Sequence, residues 1–228
     1  MISTNYYICR MKTETIISID TETGGLFASK NPLLQVGMGI YTFNPETLKA
    51  STVCEREWTL KPSQFPDTVV DPQALVVNKL DLAKLEAEGL DTATVSEEIM
   101  KLISEQTTGW ISILGQNFIF DQKFLRKYLT KEAFRTIDQY GKIELMNLTR
   151  AYNLMTMPEM AANPGRDLGS LCKRLNIAND AAHTALSDAR ATFQVYVAML
   201  RNFRAAGHAL QEVKRHAGPP LADLVKGL

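Results

Sequence analysis

A short apolar run that finishes in acid constrains this chain more than any other stretch. ISIDTETGG, residues 17 to 25, sets Asp20 and Glu22 at the end of a strand-like segment and then stops at paired glycines. Side chains alternate along a strand, so in IISIDTE, residues 16 to 22, Ile16, Ser18, Asp20 and Glu22 share one face while Ile17, Ile19 and Thr21 share the other. Two carboxylates held on one face repel, which raises a pKa or destabilises the strand unless a cation lies between them. Hard divalent ions such as Mg²⁺ or Mn²⁺ prefer oxygen ligands of this kind. A polar turn led by Gly24-Gly25 would account for an isolated Asp-x-Glu without any cation.

Downstream, strand and helix periods alternate. LLQVGMGIYTF, Leu33 to Phe43, predicts a second strand after a Lys30-Asn31-Pro32 turn, and a third is expected near WTLKP at 58 to 62, giving a meander. TATVSEEIMKLISEQ changes to helical spacing, with Val95, Ile99, Leu102 and Ile103 on one face and Thr94 with Glu97 as a candidate capping box. WISILGQN, 110 to 117, predicts another strand, and FDQKFLRKYL a helix marked by Phe120, Phe124, Leu125, Tyr128 and Leu129. Helices are expected over IELMNLTRAYNL, over DLGSLCKRLNI, and from about Thr184 to Arg204, the last with a stripe of Leu186, Ala189, Phe193, Tyr196, Val197, Leu200 and Phe203. This succession predicts an α/β fold.

At 228 residues the chain suits one α/β domain with short appendages. No apolar stretch approaches the roughly 20 residues of a membrane span, so no membrane association is expected. The beginning MISTNYYICRMK has neither an apolar core nor a small-residue cleavage site, and a cytoplasmic location is expected. Cys9, Cys54 and Cys172 are odd in number and far apart, which predicts reduced thiols rather than a disulfide framework or structural zinc. Net charge is zero, yet residues 1 to 114 carry 9 Lys/Arg against 15 Asp/Glu and residues 115 to 228 carry 16 against 10. Such asymmetry often marks only solvated faces.

Two further clusters join the first. In GQNFIFDQKFL, Asp121 falls just inside a helix that follows a strand, where the helix dipole alone would favour an acid. In AAHTALSDARAT, His183 and Asp188 on one continuous helix would diverge by about 140°. With Thr184 as N-cap, His183 precedes the cap and Asp188 is the fourth helical position, and side chains at those two positions meet. An imidazole beside that carboxylate is available for proton transfer near neutral pH. Asp20, Glu22, Asp121 and Asp188 with His183 together match a site where two metal ions serve phosphodiester hydrolysis. No zinc pattern, phosphate loop or nucleophile elbow competes.

These motifs resemble the DEDDh, or DnaQ-like, 3′–5′ exonucleases of the ribonuclease H-like superfamily: IDTETGG is similar to the first family motif, GQNFIFDQKFL to the second and HTALSDARAT to the third. PLLQVGMGIY, PQALVVNKLDL and LGSLCKRLNI extend the resemblance over about residues 15 to 200. It implies a central mixed five-stranded sheet with helices on both faces, an exonuclease domain over 14–206, an N-terminal extension over 1–13 and a tail over 207–228. It implies two Mg²⁺ (or Mn²⁺) ions, with Asp20 shared between them, Glu22 and Asp188 on the one bearing the attacking water, Asp121 on the other, and His183 as the base. The backbone near Thr23 and Gly24 is implied to bind the terminal 3′ hydroxyl, Leu26 to pack on the last base and Asn78 to contact the nucleotide. Gln116, Ile119 and Lys79 depart from the residues usual in the family, at positions that concern substrate fit.

The expected partner is the 3′ end of single-stranded DNA or RNA, with Lys123, Arg126 and Lys127 either steering phosphates or forming a solvated face. A non-catalytic binding subunit and a proofreading partner of a DNA polymerase remain as alternatives, as does docking of the Pro219-Pro220 tail on a second copy in a homodimer. His208 and His216 have no acidic or Cys partners at ligand spacing.

Overall fold

A computed structural model describes residues 13–156, 165–179 and 181–216. Strands β1 (Glu14–Thr23), β2 (Leu33–Asn44) and β3 (Lys49–Thr59) form an antiparallel meander, while β4 (Ile111–Gly115) and β5 (Gly141–Glu144) join in parallel on the other side of β1. The order β3-β2-β1-β4-β5 makes the acid-ending strand the centre of a mixed five-stranded sheet. Short links suffice for the antiparallel pairs, whereas the parallel ones need helical crossovers. Those are α1 (Pro72–Asn78), α2 (Leu82–Glu88) and α3 (Thr92–Gln106) between β3 and β4, and α4 (Phe118–Tyr128) and α5 (Lys131–Asp138) between β4 and β5. Helices α6 (Leu145–Thr156), α7 (Leu168–Leu175) and α8 (Ala185–His216) follow.

The sheet separates two cores. Ile17, Ile19, Val36, Met38 and Ile40 pack on one face against Val95, Ile99 and Ile103 of α3, Phe124 and Leu125 of α4, and Ala133 and Ile137 of α5. Ile16, Tyr41 and Phe43 pack on the other against Leu145 and Tyr152 of α6, Leu171 and Cys172 of α7, and Phe193, Val195 and Met199 of α8. Strand alternation thus feeds both layers, each fully buried large aliphatic contributing about 1.5–3 kcal/mol.

Several boundaries differ from those expected. The third strand occupies Lys49–Thr59 instead of 58 to 62. It is an edge strand whose side chains are mostly exposed, so it lacks an apolar signature, and Pro62, which cannot donate to a ladder, opens a single 3₁₀ turn instead. Ile143 and Glu144, expected in a helix, end β5, and α6 begins at Leu145. Helix α3 is capped by Asp91, whose carboxylate accepts from both N and Oγ1 of Thr94, so the Thr94–Glu97 box does not form the cap. Helix α8 runs through Gly207 to His216, past the expected helix end at 204. Its buried face is wider than the expected stripe, because Ala185, Ala191, Val195 and Met199 are also buried.

Cys54 is part-buried and Cys172 buried, both as free thiols, while Cys9 and Pro219-Pro220 lie outside the described residues. Among the described residues no helix is long and apolar enough to cross a membrane.

Candidate active site

Helix α8 reaches the end of β1 because β2 lets it approach. A Cβ at Gly37 would lie 2.2 Å from Ala185 C and Leu186 N, so only a residue without a side chain admits this contact. The exposed amides at the start of the helix are satisfied from the sheet: Gln35 Oε1 accepts from Ala185 N at 2.9 Å and Glu57 Oε2 from Leu186 N at 3.0 Å. The expected N-cap, Thr184, instead donates its hydroxyl to Ala181 O at 3.1 Å. Ser18 Oγ donates to Ala189 O at 2.7 Å, the stacked rings of Tyr41 and Phe193 lie 3.7 Å apart, and Arg190 grips Glu55 through a guanidinium pair at 2.7–3.1 Å. Asp188, in the first turn, is fixed by this docking.

His183 lies just before the helix, exposed, with φ of 69°, and its backbone N–H donates to Asp188 Oδ2 at 3.2 Å. The expected meeting of imidazole and carboxylate is present, with Thr184 at the N-cap position, its carbonyl accepting from Asp188 N at 3.0 Å, and His183 before it in this left-handed turn. One ligand atom each of Glu22, His183 and Asp188 lie within 4.8 Å of one another.

Asp121 arrives from the opposite layer. Helix α4 is preceded by Asn117 at its N-cap, which has left-handed φ of 59° and makes no side-chain cap. Glu144 at the end of β5 does that work, accepting from Asn117 N and Phe118 N, both at 2.8 Å. One turn in, Asp121 is 3% exposed and accepts a hydrogen bond from Thr21 Oγ1 at 2.6 Å. The two faces of β1 therefore both contribute: Asp20 and Glu22 directly, and Thr21 by holding Asp121.

Electrostatics record the crowding. Burial, then the like charges of Asp121, Asp188 and Glu22, hold the Asp20 carboxyl well above the usual carboxylate range. Burial followed by Asp188 and Asp121 pushes Glu22 up to about 8, and burial moves Asp121 up to about 7 against the Thr21 hydrogen bond. Four mutually repelling carboxylates with one imidazole form an oxygen-rich donor set suited to a hard divalent cation. The chemistry of the set therefore fits Mg²⁺ or Mn²⁺.

Beside the carboxylates lies a cavity of about 390 Å³, lined by Thr21, Glu22, Thr23, Leu26, Val77, Asn78 and Phe120 among others. Leu26 is 74% exposed at its rim. Asn78, buried, donates to Thr23 O at 3.2 Å, accepts from Leu80 N and hydrogen-bonds the Glu22 carboxylate. These bonds brace β1 while Asn78 lines the cavity. Gly24 likewise donates its N–H to Pro32 O and accepts from Asp71 N, so it shapes the turn while Thr23 faces the cavity. Lys79, where the resemblance leads one to expect glycine, caps α1 in the left-handed conformation with φ of 57°. A larger cavity of about 610 Å³ between β3 and α3, lined by Trp58, Glu98 and Lys101, holds none of the four acids.

A model of the RNase T family, described as exonuclease, matches residues 17–196. The chain belongs to this exonuclease family. The exonuclease domain is similar in fold to E. coli exonuclease I bound to single-stranded DNA in a zinc-ion form, at 22% identity and TM-score 0.64 over 84% of this chain and 41% of that one. It is similar also to E. coli exonuclease I with a dT13 oligonucleotide, at 21% identity and TM-score 0.63 over 89% and 45%. The domain thus spans less than half the length of these structures. No curated protein sequence matches it.

Gln35, Glu57, Thr21 and Glu144 were not expected at this site. Only Gln35 had a signal, being a polar residue inside the apolar run LLQVGMGI.

Proposed function

We propose that this exonuclease domain hydrolyses the terminal phosphodiester at the 3′ end of single-stranded DNA or RNA, releasing nucleoside 5′-monophosphates with the help of two divalent cations, Mg²⁺ or Mn²⁺. The observation that carries this reading is the convergence of Glu22, His183 and Asp188 ligand atoms within 4.8 Å, with Asp20 and Asp121 in electrostatic contact. Asp20, Glu22, Asp121 and Asp188 would hold the cations, which supply charge neutralisation of the scissile phosphate and a more acidic water.

The chain's own groups do the rest. The His183 imidazole, exposed beside Asp188, takes the proton of the attacking water. The water oxygen bonds to phosphorus, the bond from phosphorus to the 3′ oxygen of the preceding nucleotide breaks, and that oxygen leaves with a proton from solvent. Thr23 borders the terminal sugar, and Leu26, projecting at the cavity rim, packs on the last base. Asn78, which lines the cavity, contacts the nucleotide, and Gly24 shapes the turn that presents Leu26. A cavity of about 390 Å³ beside the acids is of a size for one nucleotide, which supports an end as the substrate. The fold neighbours solved with single-stranded DNA support this choice of polymer.

The test is a time course on 5′-labelled single-stranded DNA and RNA of one sequence, with Mg²⁺, Mn²⁺ or EDTA, beside Asp188→Ala. A ladder shortening from the 3′ end, abolished by EDTA and by the substitution, is expected, and its rate on each polymer gives the sugar preference. Intact label under every condition would favour a binding or polymerase-accessory role instead.

A further inference from the structure

Asp188 is held by a relay that the cations do not require. Ser187 Oγ, on a side chain 9% exposed, donates to Asn179 Oδ1 at 2.7 Å, and Asn179 Nδ2 donates to Asp188 Oδ1 at 2.7 Å. The other carboxylate oxygen accepts from His183 N at 3.2 Å. The relay has one favourable sense. With the hydroxyl donating to the amide oxygen, the amide NH₂ faces the carboxylate; a flipped amide would set oxygen against oxygen. Asn179 also accepts from Ala182 N through its carbonyl at 3.2 Å, closing the turn that carries His183.

We propose that Asn179, oriented by Ser187, is a positioning residue that fixes the carboxylate plane of Asp188 and the turn bearing His183. The proposal rests on the reading that Asp188 holds a divalent cation. The terminal torsion of an Asp side chain is broad and two-fold, so a carboxylate without a partner samples orientations that cation binding must then restrict. A carboxylate has about four lone-pair sites. One hydrogen bond to each oxygen pins the plane and leaves a lone pair on both for a cation. Asn179 lies outside the motif HTALSDARAT and Ser187 is neither an acid nor a histidine within it, and nothing in their spacing announces the role.

The experiment measures Mn²⁺ binding by electron paramagnetic resonance, and metal-free Tm, on the full chain and on Asn179→Ala, Ser187→Ala and Asp188→Ala. Loss of a hydrogen-bond partner behind a metal ligand weakens binding by roughly 10–100-fold. Asn179→Ala is expected to raise the Mn²⁺ Kd by that amount, and Ser187→Ala to raise it less. A lowered Tm with unchanged Kd in Asn179→Ala, while Asp188→Ala binds weakly, would mean a purely structural residue and overturn the proposal. Wild-type Kd in Asp188→Ala would overturn the reading of Asp188 itself. Should Asn179→Ala fail to fold, Ser187→Ala decides: a raised Kd supports the relay and an unchanged one removes it.

Discussion

Asp20 and Asp188 lie about 170 positions apart in the chain, yet the charge of Asp188 helps to hold the Asp20 carboxyl above its ordinary range, and their removal has a sharp expectation. Asp20→Ala and Asp188→Ala each abolish turnover in the oligonucleotide assay. His183→Ala lowers the rate by roughly 10²-fold or more, the size of a lost general base, with Mn²⁺ affinity little changed. Full activity in any of the three would remove that residue from the mechanism. At this scale the motif acids and His183 were legible because an Asp-x-Glu, a helix-start Asp and a His with Asp five positions on are local patterns. Thr21 and Asn179 were not, because a hydroxyl or an amide gains its role only from what stands opposite it, here Asp121 and Asp188.

Among the elements, α8 carries the site, and its seat on β2 is the vulnerable joint. Gly37→Ala would force Cβ into the backbone of Ala185 and Leu186, neither of which can rotate away. Overpacking of this kind costs about 1–3 kcal/mol. The substitution should also break the caps from Gln35 and Glu57 and move Asp188, so thermal unfolding and turnover are both expected to fall. A variant with wild-type Tm and wild-type rate would show that the helix tolerates a different seat. The strands β1 and β2 and the helices α3, α4 and α7 were readable from periodicity. Edge strand β3 was displaced because exposure erased its apolar alternation, and β5 was hidden by its shortness and its abutment on α6.

Taken whole, the molecule stores like-charge repulsion at the end of its central strand. Glu22 has an ordinary value of 4.5 and rises to about 8 in the folded protein, so between those values the folded state binds a proton that the unfolded state has lost. Stability of the metal-free protein therefore falls as pH rises from about 4.5 to 8, the sign for a carboxyl whose pKa folding raises. Scanning calorimetry in EDTA should give a lower Tm at pH 8 than at pH 6. Mg²⁺ should raise Tm more at pH 8, where protons no longer compete, and Glu22→Gln should flatten both responses. A metal-free Tm that climbs across this range would contradict the assigned repulsion.

Sequence alone determined the strongly periodic elements, the two faces of the acid-ending strand and the identity of the acids, since each depends on spacing over a few residues. The tertiary structure decided which carboxylates share a space, that Asp121 comes from the layer opposite α8, that Asn78 and Gly24 are engaged within the protein, and that Asn179 stands behind Asp188. Most of these facts depend on strand register and helix seating over long stretches of chain, 55 positions for Asn78–Thr23, 100 for Thr21–Asp121 and 171 for Ser18–Ala189, whereas Asn179 and Asp188 are only 9 apart. Local periodicity carries no record of such distances, because the steric and hydrogen-bonding terms that set them act only once the layers have packed.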